Sequence, residues 1–241
     1  MKAVEVRKEA REALKGKWKK GIGIILVYIA ITFVFGLISG FFEEKPTLSF
    51  FFVLVEIMIS VPLTFGLEFA FLKLKRNENV KATDVIKIGA DNFSRCWKIT
   101  GRTILKLILP VIVFIGSMIA FFIIITYCIM QALAGTTGNL WIPMVIGVIL
   151  YLIAIIYYVS VSLLYSLTSY IAYDNTGMTA LEIVNESARL MKGNRWKIIL
   201  LELSFIGWAI LAIFTLGIGY LWLIPYMRMA MVCFYDKLAH S

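Results

Sequence analysis

The sequence predicts an all-α integral membrane protein, a bundle of six transmembrane helices in three hairpins, with amphipathic interfacial helices on the cytoplasmic face. Three observations predict it. The chain is 61% apolar, with a mean hydropathy of +0.87, against roughly 45–50% apolar residues in soluble domains. Six apolar runs reach or approach the length of about 20 helical residues that a hydrocarbon core about 30 Å thick demands. They are residues 21–42, 48–72, 104–133, 142–173, 198–216 and 220–235. Finally, Lys and Arg gather on alternate sides of these runs, and loop Lys/Arg stay cytoplasmic during insertion.

The charge count fixes the orientation. Residues 1–20 carry eight basic and three acidic residues, residues 73–106 nine and three, and residues 174–197 four and three. The intervening turns (43–46, 135–139 and 217–220) hold one Lys in all. Both termini are therefore expected in the cytoplasm of a cell-membrane protein, with residues 73–103 and 174–197 as cytoplasmic loops of a single transmembrane domain, 1–241. Trp141 and Trp222 fall at the outer boundary. The N-terminus combines a basic region with an apolar run, but the run exceeds a signal-peptide core and no small-residue cleavage pattern follows. It reads as a retained first helix.

The elements recur as a module. Residues 13–19 (Ala-Leu-Lys-Gly-Lys-Trp-Lys) precede the first span, 92–98 (Asn-Phe-Ser-Arg-Cys-Trp-Lys) the third, and 190–197 (Leu-Met-Lys-Gly-Asn-Arg-Trp-Lys) the fifth. Trp18 with Lys19, Trp97 with Lys98, and Trp196 with Lys197 read as interfacial anchors. A segment with helical apolar spacing stands before each. Val6, Ala10 and Leu14 share one stripe, with Arg7, Lys8, Arg11 and Lys15 mostly outside it. Thr179 and Glu182 make a capping box, and Leu181, Val184, Ala188 and Met191 continue to a stop at Gly193. Such helices suit the headgroup plane, facing anionic lipid. Every basic segment abuts a span, so the partners implied are anionic membrane lipids, a membrane protein or a second copy, and not nucleic acid.

Four ionisable residues lie inside the spans: Glu56, Glu68, Glu202 and Arg228. A charge at mid-bilayer costs about 2.5–3.5 kcal/mol on insertion scales and needs a partner, a watery cavity or neutralisation. At 1.5 Å per residue, Glu68, Glu202 and Arg228 come roughly 8–14 Å from the inner boundary and Glu56 about 25 Å. This matches Arg228 with Glu202 across the last hairpin, with Glu68 as a second acceptor. Together they form a candidate intramembrane polar site. Pro62, Pro110 and Pro225 fall inside spans, where proline frees a carbonyl and tends to kink the helix. Gly36 and Gly40 make a small-residue face that allows close helix approach.

Catalytic chemistry is missing. His240 is the only histidine, Cys96, Cys128 and Cys233 lack metal-ligand spacing, and there is no phosphate loop or nucleophile elbow. No enzyme, cofactor or metal is expected. Two function classes remain. One is a non-catalytic protein acting through lipid or protein contacts, as a membrane scaffold or an envelope or immunity accessory factor. The other is a small-solute transporter or channel using the intramembrane charges.

The C-terminal third carries a resemblance. Residues 180–182 (Ala-Leu-Glu), Ser187, 191–194 (Met-Lys-Gly-Asn), Trp196, 203–208 (Leu-Ser-Phe-Ile-Gly-Trp) and 215–219 (Thr-Leu-Gly-Ile-Gly) follow in order, then 221–222, 225–226 and 234–235. This run, with residues 13–18 and Asn92-Phe93, resembles the bacterial membrane-protein family called domain of unknown function 975. Thr176 stands where the family has Pro, and Glu202 where it has Gln. The resemblance implies a multi-pass bacterial membrane protein and no particular activity.

Overall fold

The computed structural model describes residues 2–42, 44–135 and 139–240. The turns expected at 43–46 and 135–139 thus include positions (43 and 136–138) outside the described residues. Among the described residues the fold is all-helical. In order come α1 (Ala3–Leu14), α2 (Trp18–Phe41), α3 (Pro46–Lys75), α4 (Asp84–Asp91), α5 (Phe93–Leu133), α6 (Trp141–Ser162), a short 3-10 turn (Leu163–Tyr165), α7 (Thr168–Asp174), α8 (Ala180–Met191), α9 (Arg195–Leu203), α10 (Ile206–Phe214) and α11 (Tyr220–Ala239).

Five helical stretches are long and apolar enough to cross a membrane: Trp18–Phe41, Thr47–Lys75, Phe93–Leu133, Trp141–Asp174 and Arg195–Phe214. The sixth expected span coincides with α11, which differs in kind. It carries Arg228, Asp236 and Lys237, and most of its length from Leu223 onward is buried in protein. A helix enclosed by neighbouring helices can hold such charges where a lipid-facing one cannot.

The molecule divides into a packed base and protruding arms. The base holds α1, the first turns of α2, the second half of α3, α4, the start of α5, α7, α8, α9 and α11. Leu14, Phe71, Leu72, Ile183, Val184, Cys233 and Phe234 are all fully buried there. The arms are the far parts of α2–α3, of α5–α6 and of α10. Phe114 stacks on Tyr151 and Tyr158, and Phe121 on Tyr151, so α5 and α6 hold each other. Their outward faces stay bare, with Phe122 60% and Ile123 63% exposed. The two long hairpins meet each other chiefly at the base, through α3 and α5.

Three short amphipathic helices precede the three arms. α1 and α8 end alike, on Gly16 (φ +77°) and Gly193 (φ +84°), the left-handed conformation that glycine adopts without a Cβ penalty. The capping box forms as the spacing predicts: Thr179 N donates to Glu182 Oε2 at 2.8 Å, and Glu182 N to Thr179 Oγ1 at 3.3 Å. Their apolar faces do not lie open toward lipid, however. Val6, Ala10 and Leu14 of α1, and Ile183, Val184 and Met191 of α8, are buried in protein. α4 lies along α3, α8 along α7 and the 3-10 turn, and α1 along α11. Each amphipathic helix thus packs on the returning helix of another hairpin, and α1 closes the circuit by packing on the last.

The expected loop 73–103 is therefore structured: it turns back along α3 as α4 and the first turns of α5. A Cβ on Gly66 would strike the Val85 carbonyl oxygen, and one on Gly89 would lie 2.5 Å from the Pro62 oxygen. This is the close helix approach that the sequence placed at Gly36 and Gly40, where nothing lies within 4 Å. A small-residue spacing marks where helices are able to meet, and in this chain that spacing sits on an arm.

Proline does not break the helices: α3, α5 and α11 run through Pro62, Pro110 and Pro225. Pro62 has no N–H for the Met58 carbonyl one turn back. That carbonyl instead accepts from Trp97 Nε1 at 3.3 Å. The interruption falls at Ser204–Phe205, between α9 and α10.

Candidate functional site

The returning helices α3, α7 and α11 converge at the centre of the base, and each contributes to one polar chain. Glu68 of α3 is 6% exposed. Its Oε1 accepts from Arg228 Nη1 of α11 at 2.6 Å, and its Oε2 accepts from the Tyr170 hydroxyl of α7. The Tyr170 ring stacks on Tyr235 at 5.5 Å. Tyr235 donates its hydroxyl proton to Asp174 Oδ2 at 2.8 Å, and Arg76 holds both Asp174 oxygens. Lys75 then donates to Asp236 at 2.6 Å and to Glu9 of α1 at 3.0 Å, and Lys237 reaches Glu9 at 3.1 Å.

A carboxylate buried this deeply must be compensated. Glu68 is: each oxygen has a donor and one donor is a cation. Nearer the surface, Glu9 is partly buried, which pushes its carboxyl up. The hydrogen bonds from Lys75 and Lys237 outweigh this and hold it below the usual carboxylate value of 4.5. Arg76 is raised above its ordinary value, chiefly by its hydrogen bonds to Asp174.

The sequence-predicted site residues separate into three positions. Glu68 and Arg228 meet in the hub. Glu202 does not pair with Arg228, although both line a cleft of about 390 Å³ with Leu201, Phe205, Ile224 and Met227. Depth counting places residues along a helix but says nothing of azimuth. α11 turns Arg228 toward α3, while Glu202, in the last turn of α9, is an exposed residue just before the break. Glu56 is half-buried on the α3 arm and has no ion pair among the described residues.

The anchor residues also diverge. Trp18 is half-buried, its ring 6.4 Å from that of Tyr226. Trp97 serves the proline-freed carbonyl, and Trp196 is 65% exposed. Lys19 and Lys98 are exposed, and Lys197 donates to Asn194 Oδ1 at 2.7 Å. Tyr170, Tyr235, Asp174, Arg76, Lys75, Asp236 and Glu9 were not singled out from sequence as site residues. A signal existed: the same dipeptide stands at the end of α7 (Tyr173-Asp174) and one turn before the end of α11 (Tyr235-Asp236).

Beside the hub lies a polar pocket of about 470 Å³, lined by Asp174, Asn175, Glu186, Arg189, Asn194 and His240 among others. Arg189 and Glu186 pair across two contacts of 2.6 and 2.7 Å. No group of three or more metal-ligating side chains occurs among the described residues.

The model of one family, described as "Protein of unknown function (DUF975)", matches residues 1–241, the whole chain. The chain belongs to that family. No curated protein and no solved structure matches it. The DUF975 assignment carries no activity with it.

Proposed function

We propose that this is a non-catalytic protein of the bacterial cell membrane, with both termini cytoplasmic, that works through contacts. Its arms meet lipid, and its base meets a membrane-protein partner or a second copy, as a scaffold or an envelope or immunity accessory factor would require. The observation that carries this reading is the closure of the hub. Glu68 and Tyr170 are buried, and the partly exposed Arg228 completes their pairing from the side of α11, which suits a joint between helices better than a solute path. Orientation is tested by reporter fusions, with Lys45 and Ile218 reading extracytoplasmic and Asn79 and Asn185 cytoplasmic.

Transport is the second reading, and the cleft that Glu202 and Arg228 share favours it. Flux of protons and small ions into proteoliposomes separates the two. Permeability should match protein-free vesicles. A flux that Glu202→Gln or Glu56→Gln suppresses overturns the contact reading.

A further inference from the structure

Along the last hairpin runs a groove of about 370 Å³, whose lining includes Arg11, Trp18, Trp208, Leu211, Trp222 and Tyr226. It is amphipathic from end to end. At one end, Arg11 has its guanidinium carbon 5.9 Å from the centre of the Tyr226 ring and a weak 3.5 Å hydrogen bond to that hydroxyl. One helical turn away, Arg7 donates to the Ser204 carbonyl at 3.0 Å, and its Nε is buried without a partner. Neither arginine has an ion pair among the described residues, and Glu9, two residues from each, is taken by Lys75 and Lys237. Toward the other end, Trp208, Leu211 and Trp222 are each about half exposed. They sit on helices whose outward surface is apolar.

We propose that this groove binds one anionic phospholipid, its phosphate on Arg11 with Arg7 behind, and an acyl chain along Trp208, Leu211 and Trp222. The charge arrangement selects the occupant. One guanidinium without an ion pair at the mouth of an apolar channel, with a second one helical turn behind it, favours an anion with a hydrocarbon tail, whereas a zwitterionic lipid would bring its own cation to them. The inference rests on the contact reading above and names one of its partners.

Three of the six tryptophans line the groove, so bromine quenching reads it directly. In a protein with Trp97, Trp141 and Trp196 replaced by Phe, brominated phosphatidylglycerol and brominated phosphatidylcholine are titrated separately into reconstituted vesicles. Half-maximal quenching should come at about a fivefold lower mole fraction of the anionic lipid. Arg11→Gln should merge the two curves, while Arg11→Lys keeps them apart. Leu211→Gln, an outward-facing change that spares the fold, should weaken quenching by the anionic lipid. Equal curves in the parent protein overturn the proposal, and so does a preference that survives Arg7→Gln with Arg11→Gln. Equal curves without solute flux remove only the lipid site. Flux with the preference intact removes only the contact reading.

Discussion

The α5–α6 arm and the α3–α11 base are built from similar side chains, yet they bury them in different media. In the base, Phe71 and Phe234 are fully enclosed by protein, and a buried charge finds its partners. On the arm, Phe122 and Ile123 face outward, and α5 and α6 pack on each other. Hydropathy cannot tell these cases apart, because a lipid tail and a leucine are equally apolar. The difference should appear in detergent, where a micelle replaces lipid around the arms but cannot replace the packing of the base.

The largest effect should come from the hub. Glu68→Leu leaves Arg228 without its counter-ion; breaking a fully buried pair from one side costs about 3–5 kcal/mol, and solvent at the 38%-exposed Arg228 side chain brings the expected loss to the low end of that range or below it. Thermal unfolding in detergent should drop sharply, and adding Arg228→Leu should recover much of the loss. Equal, additive losses would break the picture of a paired hub. Ile123→Ala on the arm should barely move the transition.

Next come the glycines. Gly66→Ala or Gly89→Ala forces α3 and α4 apart, and overpacking of this kind costs about 1–3 kcal/mol. Gly36→Ala and Gly40→Ala should leave stability unchanged or raise it, since Ala is up to about 1 kcal/mol better inside a helix. A loss at Gly36 or Gly40, seen together with a change in oligomer size, would show that a second copy covers this arm.

A smaller effect separates the tryptophans. Trp97→Phe strands the carbonyl freed by Pro62 and should cost about 1 kcal/mol, while Trp196→Phe should cost nothing measurable in detergent.

The smallest effect depends on pH. Glu9 is held below its ordinary value by Lys75 and Lys237, so its contribution is complete above the unfolded carboxylate range. It fades as pH falls through the lower folded value, below about 4.5. Water screens the group, so no more than about 1 kcal/mol is expected. Melting curves of the parent and Glu9→Gln should converge in acid; divergence there would remove Glu9 from the network.

Much of the fold was legible from local pattern alone. Helix positions follow apolar run length, the stop at Gly193 follows from its missing Cβ, and the Thr179–Glu182 cap follows from spacing. What was hidden is three-dimensional. The stripe on α1 reads equally well as a lipid face or a protein face, and only the position of α11 decides. Arg228 had two acceptors within reach by depth, and the rotation of α11 chose Glu68 over Glu202. Trp97 looked like one anchor among three until Pro62 left a carbonyl beside it. The hub was partly written in the repeated Tyr-Asp dipeptides, but a pair of residues gains meaning only once the three returning helices are known to converge.

The packing of α1 on α11 joins two helices made far apart in time. More than two hundred residues separate Leu14 from Tyr220, and at about 5–20 residues per second a ribosome needs roughly 10–40 s to supply them. Throughout that interval the α11 surface that covers Val6, Ala10 and Leu14 is missing, and the membrane face is an apolar medium at hand. The amphipathic character that points to the headgroup plane thus suits α1 during synthesis, and the packed base suits it afterwards. On this account α1 trades a lipid surface for α11.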